Sequence, residues 1–356
     1  MSPLKGRPRT ATGEAVRLVV TKMTRKVVPS ILDSIGDTPL VELGNLIPGF
    51  HSRVFAKMER FNPSGSIKDR TAYSMIRAAL ASGELVPGRS VVVESSSGNL
   101  AIGLAQICRY FGLRFVCVVD RNTTERNLAI LDAFKVEVEV VTEPDPAGGL
   151  LAARLRRVRE LAATVPNAYW PNQYANPMNP RAHHETMREI EEALAGKVDY
   201  LFASVSTFGT LRGCADHIRR AGLPTTVIGV DAVGSVIFGG AAASRLLPGH
   251  GASVRPPLAD NSMVDEVVHI SDLEAVVSCR RLLMTEAILG GGSSGATVAA
   301  LEKVSDRVPP GSNCVLIFPD GGDRYVDTIY SDSWVRRNFG EVSHLWKEPF
   351  EMSVPA

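Results

Sequence analysis

The 356-residue chain has no pair of cysteines at CxxC spacing, and its cysteine count is odd: Cys108, Cys117, Cys214, Cys279 and Cys314. Neither a disulfide framework nor a zinc site is therefore indicated, and no metal is expected. Most of these cysteines lie in apolar runs and read as small core residues of a reduced, cytoplasmic protein. Charge of neither sign is in excess, with 39 Lys and Arg against 38 Asp and Glu. A net charge of +1 gives no electrostatic reason to expect nucleic acid as a partner. No apolar run is long enough to span a bilayer. The first 29 residues carry Lys5, Arg7, Arg9, Lys22, Arg25 and Lys26 but no apolar signal-peptide core, and a flexible or partner-docking extension is expected there. No strand leads into a full GxGxxG fingerprint or a Walker loop, which argues against a nucleotide-binding oxidoreductase.

What remains is an ordinary globular composition, 45% hydrophobic and 22% charged, on a chain long enough for two domains. Short β-branched runs alternate with amphipathic runs almost throughout. Strands are expected over 54–58, 90–94, 114–119, 136–141, 200–205, 226–231 and 313–319. Helices are expected over 69–82, 99–111, 125–134, 147–163, 180–194, 210–221, 272–289 and 294–304. Nearly continuous apolar strands fit a parallel sheet covered on both faces. The β-α-β rhythm implies one or two open α/β sheets, with ligands at the carboxyl ends of the strands.

The loops at those ends carry the chemistry. Asn62-Pro63-Ser64-Gly65-Ser66-Ile67-Lys68-Asp69-Arg70 is a tight turn that sets Lys68 at the mouth of a helix. The helix dipole disfavours a cation there, which lowers the lysine pKa and suits a nucleophile or Schiff-base amine. For a lone lysine, a solvated turn is the more common explanation; the neighbouring loops reverse that weighting. Glu94-Ser95-Ser96-Ser97-Gly98-Asn99 ends one strand and opens a helix. Capping needs one such residue, and this run exceeds the need, so it reads as an anion cradle. Ser206-Thr207-Phe208-Gly209-Thr210 is a second cradle, suited to a phosphate monoester. Gly290-Gly291-Gly292-Ser293-Ser294-Gly295 lets backbone approach something flat. Phe318-Pro319-Asp320-Gly321-Gly322-Asp323-Arg324-Tyr325 closes the last strand.

These five stretches, in this order, resemble pyridoxal-phosphate enzymes of fold type II, the cysteine synthase and cystathionine β-synthase family. Ile35-Gly36-Asp37-Thr38-Pro39-Leu40-Val41 is similar to the N-terminal signature of that family, and the likeness covers roughly residues 30–335. The resemblance implies two α/β domains with mainly parallel twisted sheets, tryptophan synthase β-like, with pyridoxal 5'-phosphate in the cleft between them. It implies a smaller mobile domain over 62–172, a larger one over 30–61 plus 173–340, and a tail over 341–356. Lys68 would carry the cofactor and act as general base. Asn99 would bond the pyridine hydroxyl, and Ser293 would face the pyridine nitrogen. Ser206, Thr207, Phe208, Gly209 and Thr210 would hold the phosphate, with Phe208 narrowing a loop that has glycine in most relatives. Ser96, Ser97, Gly98 and Gln173 would hold the substrate carboxylate, and Tyr174 would shape a second substrate site.

Leu100, Phe208 and the stretches over 230–238 and 245–252 depart from ordinary cysteine synthases and resemble the 2,3-diaminopropionate branch of siderophore and peptide-antibiotic biosynthesis. The implied reaction is β-replacement through an α-aminoacrylate, joining O-phospho-L-serine to L-glutamate. Arg212, Arg245 and Arg324 are the cations considered for the leaving phosphate. The rival expectations are a cysteine synthase using O-acetylserine or O-phosphoserine with sulfide, a serine/threonine deaminase-like lyase, and a non-catalytic homologue. Partners are expected to be small amino-acid substrates and a second copy in a homodimer.

Overall fold

The computed structural model describes residues 27–146 and 149–347, so the expected extension over 1–29 lies almost wholly outside the described residues. The start of the expected helix at 147 and most of the tail over 341–356 lie outside them as well.

Among the described residues ten strands run β1 (Leu40–Glu42), β2 (Arg53–Met58), β3 (Val91–Ser95), β4 (Arg114–Asp120), β5 (Glu137–Val141), β6 (Ala168–Tyr169), β7 (Tyr200–Ser204), β8 (Thr226–Ala232), β9 (Glu266–Ile270) and β10 (Asn313–Phe318). The helices that matter for the site are α1 (Lys68–Ser82), α2 (Asn99–Tyr110), α3 (Glu125–Ala133), α4 (Gly149–Thr164), α5 (Met178–Ala193), α6 (Gly209–Ala221), α7 (Asp272–Glu286), α8 (Gly292–Val304) and α9 (Asp332–Phe339). The strands form two sheets. One has the order β1-β2-β10-β7-β8-β9, and the other β5-β4-β3-β6. The smaller sheet is parallel throughout. In the larger, only the β1–β2 pairing is antiparallel.

The expected α/β architecture with mainly parallel sheets is thus present. The central strands are buried on both faces: Val91, Val92 and Val93 of β3 and Leu201, Phe202 and Ala203 of β7 are each 2% exposed or less. That burial explains their unbroken apolar character. Local signals set the helix starts. Thr124 accepts from the Asn127 N–H at the mouth of α3, and Ser271 and Glu274 form a capping box on α7. All five cysteines are buried and unpaired, as their apolar surroundings foretold. Three strands and two helices among the described residues escaped the sequence reading: the short edge strands β1 and β6, the half-exposed edge strand β9, α9, and the short helix His344–Lys347.

A buried quartet of charges joins β2, α1 and α5. Arg70 on α1 bonds Glu59 from Nε at 2.7 Å and Glu189 on α5 from Nη1 at 2.7 Å. Lys57 on β2 reaches the other Glu189 oxygen at 2.5 Å and the Thr38 carbonyl at 2.6 Å. Thr38 and Asn62 complete the shell of Glu59 at 2.7 and 2.8 Å. Two positive and two negative groups leave this interior with no net charge, which is the condition under which buried ions are tolerated.

Candidate active site

Lys68 owes its place to the turn before it. Gly65 has a φ of +91°, and its N–H donates to the Asn62 carbonyl at 2.8 Å. The Ile67 N–H donates to the Pro319 carbonyl at 2.8 Å, so the end of β10 is stapled to the start of α1. Lys68 opens α1, and its Nζ is committed to no hydrogen bond or ion pair among the described residues. Burial pushes its ammonium down to about 8, while Asp320 pulls the other way. The expected lowering is there, but its cause is burial rather than the helix dipole.

The cavity around Lys68 is walled by Asn99, Ser206, Thr207, Phe208, Gly209, Thr210, Ser293, Asp320 and Tyr325, among others. The structure therefore brings together the lysine, the second anion cradle and the glycine-rich turn from loops far apart in the chain. The 206–210 loop sits at the N-terminus of α6, where free N–H groups and the helix dipole favour a phosphate. Asn179 fixes its shape. This fully buried amide donates to the Gln173 carbonyl at 2.7 Å and to Thr207 Oγ1 at 3.2 Å. A Cβ on Gly209 would stand 2.0 Å from Asn179 Oδ1. Gly209→Ala is accordingly expected to displace the loop and weaken pyridoxal-phosphate affinity by more than tenfold, read by fluorescence titration of apoprotein; unchanged affinity would remove the loop from the site. His183, also fully buried, meets Thr71 at 3.1 Å and Thr210 at 3.4 Å. Burial, then the charges of Lys68 and Arg70, hold its imidazole neutral.

Phe208 owes its place to packing. It lines the cavity, but its ring is 1% exposed and packs on Phe238 with centroids 5.6 Å apart. The residue holds a left-handed φ of +70°, which a side chain disfavours, so packing rather than preference fixes it. The ring anchors the loop to the 230–238 stretch instead of filling the phosphate cradle.

Asp320 is the member of the site that the sequence left without a role. It is 4% exposed, and its Oδ2 accepts from Asn99 Nδ2 at 2.7 Å and from the Tyr325 hydroxyl at 2.6 Å. Its Oδ1 has no partner among the described residues. Burial raises its pKa, against the bonds from Tyr325 and Asn99. The Asn99 amide is engaged on both sides, since its oxygen accepts from Arg324 Nη1.

Other expected residues stand beside the cavity rather than on its described wall. Ser96 Oγ accepts from the N–H groups of Gly98 at 3.3 Å and Ala101 at 3.2 Å, so its hydroxyl is engaged at the first turn of α2. The Ser97 carbonyl accepts from Asn127. Gln173 is buried, with its N–H on Glu94 at 3.2 Å and its Nε2 on the Ser95 carbonyl at 3.3 Å. Glu94 was also missed: burial lifts its carboxyl to about 7, and Ser95, Trp170 and Gln173 donate to it. Tyr174 is half-buried, its carbonyl accepting from Leu258. Leu100 points into the core beside the smaller sheet. Of the three arginines, Arg212 donates to the Leu258 carbonyl and Arg245 to Ser253 Oγ. Arg324 alone of them bonds a wall residue, and its Nη2 also holds the Ser64 carbonyl at 2.5 Å.

The residues present fit a phosphate-bearing aldehyde cofactor: an uncommitted lysine of lowered pKa, a helix N-terminus with hydroxyls, and an orphaned buried carboxylate oxygen in the same cavity. The family model described as "Pyridoxal-phosphate dependent enzyme" matches residues 31–320. The N-(2-amino-2-carboxyethyl)-L-glutamate synthase of Ralstonia nicotianae is 46% identical over 312 residues, covering 87% of this chain and 92% of that protein. The protein of the same name from Cupriavidus metallidurans is 47% identical over 315 residues, with the same coverage of 87% and 92%. Among solved structures, O-ureido-L-serine synthase superposes with a TM-score of 0.80 at 31% identity, over 89% of this chain and 98% of that one. The O-acetylserine dependent cystathionine β-synthase of Helicobacter pylori gives 0.79 at 30% identity, over 86% and 100%.

Proposed function

The chain belongs to the pyridoxal-phosphate dependent enzymes, and from that premise we propose that it joins O-phospho-L-serine to the amine of L-glutamate, giving N-(2-amino-2-carboxyethyl)-L-glutamate and phosphate. The observation that carries this reading is 46–47% identity, over 87% of the chain, to two synthases named for that product. The product itself states the chemistry: a 2-amino-2-carboxyethyl group is the skeleton of serine bonded through its Cβ. The Cβ–O bond of the donor breaks and phosphate leaves with the electron pair. A Cβ–N bond forms to glutamate, whose amine loses a proton.

When bound, the cofactor supplies the electron sink that loosens the Cα proton and the β-substituent. The chain supplies the rest. Lys68 Nζ takes the Cα proton and returns it, a task its lowered pKa suits. The N–H groups and hydroxyls over 206–210 would hold the cofactor phosphate, Ser293 would serve the ring nitrogen, and Asn99 would serve the ring hydroxyl. Ser96, Ser97, Gly98 and Gln173 take the substrate carboxylate, and Tyr174 borders the glutamate site. We take 62–172 as the unit that closes on the substrate and excludes water. We also take the enzyme as a cytoplasmic homodimer whose product feeds 2,3-diaminopropionate for a siderophore or peptide antibiotic. Among the described residues no helix is long and apolar enough to cross a membrane.

The test is a visible absorption titration of the purified holoenzyme. O-phosphoserine is expected to shift the cofactor band, and glutamate, not sulfide, to restore it with release of the named product. Restoration by sulfide alone makes the protein a cysteine synthase. Release of keto acid and ammonia without a second substrate makes it a lyase. A protein that takes up cofactor yet responds to no donor is a non-catalytic homologue.

A further inference from the structure

Two stretches that stood apart in the sequence, 230–238 and 245–252, meet in the fold. The Gly251 N–H donates to the Val205 carbonyl at 2.7 Å, and the Val236 N–H to the Ala252 carbonyl at 3.0 Å. The Ala252 N–H reaches Ser235 Oγ at 3.1 Å. These bonds press His250, 2% exposed, against the end of β7. Its Nδ1 lies 2.8 Å from Ser204 Oγ. Ser204 lines the same cavity as Lys68 and the 206–210 loop, together with Pro248 and Gly249. On the far side, His250 Nε2, Arg245 Nε and Nη1, and Asp231 Oδ2 are buried without hydrogen-bond partners among the described residues.

We propose that His250 is a positioning residue for the cofactor phosphate: it donates from Nδ1–H to Ser204 Oγ, and so leaves the serine proton free for a phosphate oxygen. The proposal rests on the assignment of this cavity to pyridoxal phosphate. A serine hydroxyl has one proton to give. Spent on the imidazole, it would turn oxygen lone pairs toward a dianion. Received from the imidazole, the bond leaves Ser204 a donor, which is what a phosphate accepts. A charged imidazolium would also donate, but burial first, then Arg245 and His269, push the His250 pKa down to about 3. The ring is therefore neutral, and its single proton must sit on Nδ1 for the serine to face outward as donor. The charge of Arg245 is felt at the ring and adds to the preference for its neutral form.

The experiment is reconstitution of apoprotein with pyridoxal phosphate, read by the dissociation constant and by the 31P resonance of the bound phosphate. His250→Phe and Ser204→Ala are each expected to weaken binding about tenfold, the loss of one hydrogen bond to a charged group. Both should move the 31P resonance in the same direction, and the double variant should be no worse than either single one. His250→Asn, whose Nδ2 donates from nearly the position of Nδ1, should recover most of the affinity; His250→Gln should not. A role in packing alone would lower the melting temperature of the apoprotein without this pattern. Wild-type affinity and an unmoved 31P resonance in Ser204→Ala, additive losses in the double variant, or failure of His250→Asn to recover affinity would overturn the proposal. If His250→Phe does not fold, Ser204→Ala and His250→Asn decide the matter. If wild-type apoprotein takes up no pyridoxal phosphate, the cofactor assignment itself falls, and this proposal with it.

Discussion

Lys68→Ala is expected to purify without the absorption of a lysine-linked cofactor and to turn over about a thousandfold more slowly, the usual range for loss of a positioned acid–base group. The cofactor should still bind, because the cradle over 206–210 and the wall residues Ser293 and Asn99 are untouched. Loss of turnover without loss of the phosphate grip is the signature sought. The pH dependence adds a second arm. Burial puts the Lys68 amine at about 8, well below the 10.5 of a free lysine. In apoprotein its acylation rate should therefore rise through pH 8. Asp320 works to raise that pKa, so Asp320→Asn should move the midpoint lower still. A midpoint near 10.5 in wild type, or more than a tenth of normal turnover in Lys68→Ala, would remove Lys68 from the chemistry.

The largest stability effect is expected from the buried quartet. Glu189→Gln leaves Lys57, 2.5 Å from one of its oxygens, without a carboxylate partner in the interior, and leaves Arg70, 2.7 Å from the other, with Glu59 alone. Breaking one side of a buried pair costs about 3–5 kcal/mol. The pH dependence fixes the sign. Burial works against the Glu189 carboxylate, yet Arg70 and then Lys57 outweigh it and hold it at about 2, below the ordinary 4.5. A carboxyl depressed on folding stabilises the native state above its unfolded pKa. That stability is lost as the pH falls from about 4.5 toward 2. The gap in urea midpoint between wild type and Glu189→Gln should be full at pH 7 and shrink across that window. A gap that ignores pH would mean that shape, not charge, holds the joint.

Much of the fold was legible because both sheets are mainly parallel and their central strands are deeply buried. Such strands announce themselves as apolar runs, and β2, β3, β4, β7, β8 and β10 fell where those runs are. The missed strands carry weaker signals. β1 and β6 have three and two residues, and β9 mixes Glu266 and His269 with its valines at the sheet edge. Lys68, Asn99, the 206–210 loop and Ser293 could be read because each sits on a local turn with its own composition. Asp320, Asn179, His183 and Glu94 could not. Each is an ordinary polar residue whose role exists only through a partner far along the chain, as Asn99 is for Asp320 and Thr71 for His183. Phe208 was readable as a departure from glycine, but not the direction of its ring, which Phe238 decides.

The cavity wall runs from Ile67 near the start of the chain to Tyr325 near its end. A chain leaving the ribosome exposes Lys68 long before Ser293, Asp320 and Tyr325 have been made. During that interval the lysine is a solvated amine like any other, without its lowered pKa and without a cradle opposite it. The complete cavity therefore needs β10 and the loop after it, and a nascent chain halted short of β10 lacks the wall that Asp320 and Tyr325 supply.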